Sequence, residues 1–125
     1  MRRGLLVALA ERLRLSQAEV HEVATFYHHF EVVADDTALP ATTVRVCTSL
    51  SCAMAGGEQL LADLRQRLTG DQKVRVVEAP CIGQCHRAPA ACVGQQQLPQ
   101  ASVESVSAAL AQGQTGPRAL PASGA

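Results

Sequence analysis

The chain has no tryptophan, one tyrosine and two phenylalanines in 125 residues. Large rings bury the most apolar area per residue, so their scarcity leaves the core to Leu, Val and Ala, a thin supply. An excess of one charge is also missing: Lys plus Arg and Asp plus Glu number 11 each and are interspersed. With no basic stripe to neutralise phosphates, the sequence speaks against nucleic-acid binding. No apolar run approaches the roughly 20 residues that a membrane span needs, so no direct membrane insertion is expected. The opening Met1–Ala10 places two arginines before an apolar stretch, as a secretory leader does. Glu11, Arg12 and Arg14 break that stretch before any clear cleavage site, and the segment reads instead as the start of a helix in a cytoplasmic protein.

Against these shortages stand five cysteines: Cys47, Cys52, Cys81, Cys85 and Cys92. A small domain with a thin core usually needs a staple, either disulfides or a metal centre. Cytosolic thiols stay reduced, so clustered cysteines there point to metal or redox chemistry.

The hydrophobic pattern predicts an α/β protein with a helical start. Leu5, Leu6, Leu9 and Leu13 recur at helical spacing over 5–14. Ser16 and Glu19 have capping-box spacing, and a second helix is expected from Gln17 to His29 with Val20, Val23, Ala24 and Tyr27 on its buried face. Asp35, Asp36 and Pro40 read as a turn-rich linker. Two such helices cannot form a stable domain alone and must pack on the rest of the chain or on a partner. From Thr42 the period changes to two: Thr43–Cys47 and Val74–Glu78 alternate as strands, with an amphipathic helix from Glu58 to Leu68 between them. Strand, helix and strand in this order predict a crossover joining parallel strands. Ala91–Gly94 with Gln97–Leu98 reads as a short hairpin, and Ser102 caps a last helix through Ala111. The expected organisation is a helical segment and linker over 1–40, an α/β domain over 41–112, and a disordered Gly/Pro/Ala-rich tail over 113–125.

Each cysteine pair comes just after a strand. Cys47 closes the first strand, and Cys52 lies beyond a gap of four; Cys81 comes after the second strand, with Cys85 beyond a gap of three. If the strands are parallel neighbours, both loops leave one edge of the sheet and four thiolates converge there. Gaps of four and three are wider than the two-residue knuckle common in zinc sites, and the small loops can expose amides to sulfur. Spacing alone leaves three readings open: a [2Fe–2S] cluster, a zinc ion, and disulfide or redox-active thiols. Reduction would add negative charge to a cluster here, and Arg45, His86 and Arg87 flank the loops, with Glu78 the nearest acid.

Three separate motifs carry a resemblance. Val46-Cys47-Thr48-Ser49-Leu50-Ser51-Cys52, then Glu78-Ala79-Pro80-Cys81-Ile82-Gly83-Gln84-Cys85-His86-Arg87-Ala88-Pro89, and upstream Glu19-Val20-His21-Glu22-Val23-Ala24-Thr25-Phe26-Tyr27 resemble the E-subunit family of NADH:quinone oxidoreductases. The resemblance covers about residues 5–110 and implies a thioredoxin-like [2Fe–2S] ferredoxin domain. It implies Cys47, Cys52, Cys81 and Cys85 as cluster ligands, and a larger flavoprotein partner that binds NADH, FMN and a four-iron cluster. Such subunits occur in respiratory complex I, NAD-reducing hydrogenases and NAD-dependent formate dehydrogenases, which implies a cytoplasmic place, peripheral to a membrane complex. Family members carry several dozen more residues at the front, which makes the helical segment here a shortened one.

Cys92 matches no ligand position and reads as a small buried hydrophobe in a strand. Phe26, Tyr27 and Phe30 read as a buried wedge joining the helical segment to the sheet domain. His28 and His29 sit at a helix end rather than in a donor set. His86 reads as a hydrogen-bond donor to the cluster or a surface contact. Nothing resembles a nucleophile–base pair, a phosphate loop or paired carboxylates. The expected function is therefore electron transfer without a bond-making site; a zinc-stapled or thiol-redox thioredoxin-like module is the alternative.

Overall fold

Val44 and Val46 are fully buried while Thr43 and Arg45 beside them are only half-buried, the alternation expected of a strand with one face in the core. The computed structural model describes residues 1–113, 115 and 116, and the chain divides into two units, Met1–Leu39 and Pro40–Ala125.

The second unit carries a four-stranded sheet of β1 (Thr42–Cys47), β2 (Val74–Ala79), β3 (Ala91–Val93) and β4 (Gln96–Leu98), in spatial order β2-β1-β3-β4. As the strand–helix–strand order predicts, β1 and β2 are parallel, with Thr42 opposite Val74 and Cys47 opposite Ala79. β3 runs antiparallel to β1, and β4 antiparallel to β3, so the expected hairpin forms. Its turn holds Gly94 at φ 60°, a left-handed conformation that glycine adopts without penalty.

In register, Val44 pairs with Val93 and Val46 with Ala91, which puts four small apolar side chains on one face. Two helices cover that face: α4 (Gly57–Arg67) through Leu60, Leu61 and Leu64, and α5 (Val103–Ala111) through Val106 and Ala109. A short helix, α3 (Leu50–Met54), precedes α4. Among the described residues no polar or charged side chain is buried, and the core is built from Val, Leu, Ala and Cys alone. The thin core that the composition implies is the one observed.

In the first unit, α1 (Arg3–Leu13) and α2 (Gln17–Phe26) pack through Leu6, Ala10, Val20 and Ala24. Ser16 forms the expected capping box: its hydroxyl accepts from the Glu19 amide at 3.2 Å, and the Glu19 carboxylate accepts from the Ser16 amide at 2.8 Å. The segment before Pro40 returns along the start of α1, where Val33 bridges Arg2 and the Asp35 carboxylate accepts from the Gly4 amide at 2.9 Å. Asp35 thus caps a helix that lacks a capping side chain of its own.

Several expectations for this unit need correction. α2 ends at Phe26, not His29, because Tyr27 turns to extended backbone with ψ 117°. Only Leu6 of the four-leucine stripe is buried, and Val23 and Tyr27 are exposed beside the buried Val20 and Ala24. Within their own unit Phe26, Tyr27 and Phe30 are not buried by α1 and α2, and Phe26 is 80 % exposed. The rings pack on each other instead, Phe26 edge-on to Tyr27 at 5.1 Å and Tyr27 edge-on to Phe30 at 6.4 Å. A two-helix unit has too little facing surface to cover every apolar side chain it carries. The expected disordered tail lies, apart from Gly113, Thr115 and Gly116, outside the described residues. The Thr115 carbonyl accepts from the Gln95 amide at 2.8 Å.

Candidate metal centre

Parallel pairing of β1 and β2 brings their C-terminal ends side by side. Cys47 is the last residue of β1, and its register partner Ala79 stands two residues before Cys81. Two backbone bonds tie this edge together: the Cys47 amide donates to the Ala90 carbonyl at 3.0 Å, and the Thr48 amide to the Ala79 carbonyl at 3.1 Å.

Cys52 sits in α3, a segment that the sequence pattern presents as loop. Helix places its thiol back over the preceding turn, toward Cys47. Both thiols are buried and form a small apolar cluster with Ala90, flanked by Ile82 and Ala88. Burial pushes the Cys52 thiol above its ordinary range, and its hydrogen bond to Cys47 adds to the shift. The charges of Cys47 and Cys85 act in the same direction, so the two cysteine pairs lie within electrostatic reach of one another. Gly57 allows the start of α4 to close on this loop. A Cβ at Gly57 would stand 2.6 Å from the Cys47 carbonyl oxygen and 2.8 Å from that of Cys52.

The second pair is exposed. Cys81 Sγ and Cys85 Sγ are 3.1 Å apart, within hydrogen-bonding distance for sulfur. Cys85 is raised, first by this hydrogen bond and then by the Cys81 charge, whereas Cys81 is lowered by the same bond. Cys81 Sγ accepts from the Gly83 amide at 3.4 Å, in a loop where Gly83 has φ 82°. Next along the chain is a 3₁₀ turn over Cys85–Arg87, which also has the sequence pattern of a loop; His86 and Arg87 are exposed on it.

Cys92 stands apart from the four. It is in β3, paired in register with Arg45, and faces away from the core that its neighbours Ala91 and Val93 join. It is half-buried rather than fully buried, its thiol donates to the Gly94 carbonyl at 3.3 Å, and burial pushes its pKa up.

Among the described residues no three His, Cys, Asp or Glu side chains form one metal-ion group; the four thiols are arranged as two pairs. Two pairs of soft donors, at least one supplied with an amide N–H, are a donor set that suits a two-iron, two-sulfide cluster. Sequence reasoning passes over Gln97. Its side chain reaches the Cys81–Cys85 loop from β4, donating to the Ile82 carbonyl at 3.0 Å and accepting from the Gln84 amide group at 2.9 Å. No local pattern marks a glutamine in a hairpin as a loop contact.

Known proteins resemble this chain over most of its length. The family model for the thioredoxin-like [2Fe-2S] ferredoxin matches residues 2–114. The E-subunit of NADH-quinone oxidoreductase from Aquifex aeolicus is 34 % identical over 91 residues, covering 67 % of this chain and 54 % of that protein. Its counterpart from Rickettsia bellii is 28 % identical over 88 residues, covering 65 % of this chain and 50 % of that protein. This chain thus spans about half the length of these relatives. Among solved structures, an NAD+-reducing [NiFe]-hydrogenase in the air-oxidized state matches with a TM-score of 0.64 and 22 % identity, over 90 % of this chain and 21 % of the other. A thioredoxin-like [2Fe-2S] ferredoxin from Aquifex aeolicus matches with a TM-score of 0.50 and 16 % identity, over 62 % of this chain and 84 % of the other. The fold is therefore thioredoxin-like, and the chain belongs to the thioredoxin-like [2Fe-2S] ferredoxin family, whose cofactor is a [2Fe–2S] cluster.

Proposed function

We propose that this chain is an electron-transfer subunit whose single [2Fe–2S] cluster is held by Cys47, Cys52, Cys81 and Cys85. Its electrons pass one at a time to or from a flavoprotein subunit that binds FMN and NADH and carries a four-iron cluster. The observation that carries this reading is the pairing of thiols at one sheet edge, Cys47 with Cys52 and Cys81 with Cys85. Two irons take their protein ligands two by two, whereas a structural zinc gathers four around one atom. Bound there, the cluster supplies reversible one-electron chemistry. The protein's own residues supply the thiolates, bury one pair beneath Ala90 and leave the other pair at the surface.

A partner is supported by where apolar surface remains uncovered. Among the described residues, all the exposed large apolar side chains except Leu50 and Met54 belong to the first unit. The two exceptions lie on α3, the helix that carries Cys52. Apolar surface left open on this scale marks interaction sites in soluble proteins.

Anaerobically purified protein is expected to hold two irons and two acid-labile sulfides per chain and to give a rhombic EPR signal on reduction. Cys81→Ser should lose or badly destabilise the cluster, while Cys92→Ala should leave iron and sulfide contents unchanged. One zinc per chain without visible absorbance would favour a zinc-stapled module instead. Loss of iron in Cys92→Ala would overturn the ligand assignment.

A further inference from the structure

We propose that Gln97 is a positioning residue that aims the Gly83 N–H at Cys81 Sγ and thereby raises the potential of the cluster. The proposal rests on the reading of Cys81 as a ligand. Gln97 lies on β4, outside the ligand loops, and uses both ends of its amide on one of them. Its Nε2 donates to the Ile82 carbonyl at 3.0 Å, and its Oε1 accepts from Gln84 Nε2 at 2.9 Å. Ile82 is next to Cys81 in the chain and Gln84 is next to Cys85, so a single side chain braces the loop beside each thiol.

The bond to Ile82 matters most. The Ile82 carbonyl and the Gly83 N–H belong to one peptide unit, and in a planar trans peptide these two groups point in opposite directions. Fixing the carbonyl on Gln97 therefore fixes the N–H on the other side, where it donates to Cys81 Sγ at 3.4 Å. Gly83 at φ 82° is free to rotate in ways a side chain would forbid, so its own backbone holds this peptide plane only weakly. The space around Gly83 is open as well, since a Cβ there would meet nothing within 4 Å. Ile82 is packed through its side chain on the Cys47–Cys52–Ala90 cluster, Gly83 adds no steric restraint, and Gln97 holds the carbonyl of the peptide between them. An N–H aimed at a ligand sulfur offsets the negative charge gained on reduction, which favours the reduced cluster.

Gln97→Leu removes both bonds at similar size. Purified with its cluster, this variant should keep its iron and sulfide contents and show a lower midpoint potential with altered g-values of the reduced EPR signal. Gln84→Leu keeps the bond to Ile82 and should shift the potential less. A fully loaded Gln97→Leu protein with the potential and EPR signal of the wild type would overturn the proposal while leaving the ligand assignment intact. If Gln97→Leu fails to retain a cluster, amide exchange in the apo-protein decides: the segment 81–85 should exchange severalfold faster than in wild-type apo-protein, with α4 and α5 unchanged. Equal exchange in that segment would overturn the proposal.

Discussion

Single residues at the centre differ in how they act on it. Cys47 and Cys52 are buried, whereas Cys81 and Cys85 stand at the surface with Cys81 already lowered by two hydrogen bonds. Deprotonation, which metal ligation by a thiol requires, is resisted at Cys52 by desolvation and at Cys85 by its hydrogen bond to Cys81. Gly83 contributes through its backbone alone. Its φ of 82° lies in the left-handed region, and the open space around it means that an added methyl meets no neighbour. Gly83→Ala should therefore carry a conformational penalty of about 1–2 kcal/mol and no steric one. Urea unfolding of the loaded protein measures it as a lower midpoint with unchanged slope. A midpoint equal to that of the wild type would mean that the loop relaxes out of the left-handed region. Gly57 is the opposite case, with ordinary backbone angles and two carbonyl oxygens where its Cβ would stand.

Elements report how far local pattern carries. Strands β1 and β2, helices α4 and α5, the hairpin and the Ser16 capping box were all legible, because period, caps and turn residues agree at each. α3 was not, since five residues between β1 and α4 offer too little periodicity to separate a helical turn from a loop. The parallel pairing of β1 and β2 that precedes the two cysteine pairs was legible, but the division of the thiols into a buried and an exposed pair needed α3. Exposure of Phe26 was equally hidden, as nothing within one chain marks which apolar face its own fold leaves uncovered. The capping box of α2 also sets a pH dependence. Hydrogen bonds from the Ser16 hydroxyl and amide hold the Glu19 carboxyl below its ordinary 4.5. A depressed folded-state pKa stabilises the fold above the unfolded value and loses that stabilisation as pH falls through the folded one. The urea midpoint of Glu19→Ala should thus lie below that of the wild type at neutral pH, and the gap should close well below pH 4.5. A gap that persists in acid would assign the effect to other contacts of the Glu19 side chain rather than to its carboxylate charge, since alanine is the better helix former.

At the scale of the whole molecule, the described residues of the sheet unit form two apolar clusters of unequal strength. Ten buried residues, among them Leu60, Leu61 and Leu64, hold β1 and β3 against α4 and α5. The sulfur edge has only Cys47, Cys52 and Ala90, with Ile82 and Ala88 packed on them. Small side chains bury little area, so contacts alone fasten this edge weakly. Metal ligation by four thiolates would bridge the segment after β1 to the segment after β2, adding cross-links where packing is poorest. The cluster is therefore expected to act unevenly on stability. Removing it with a chelator and oxidant under reducing work-up should leave amide protection in β1, α4 and α5 largely intact. Residues 48–56 and 80–90 should lose most of theirs, and the thermal midpoint should fall. Reconstitution with iron and sulfide should restore both. Uniform loss of protection across the sheet and helices would mean instead that the apolar core depends on the cluster for its own folding. An unchanged profile at 80–90 would mean that Cys81 and Cys85 are not bridged to the first loop.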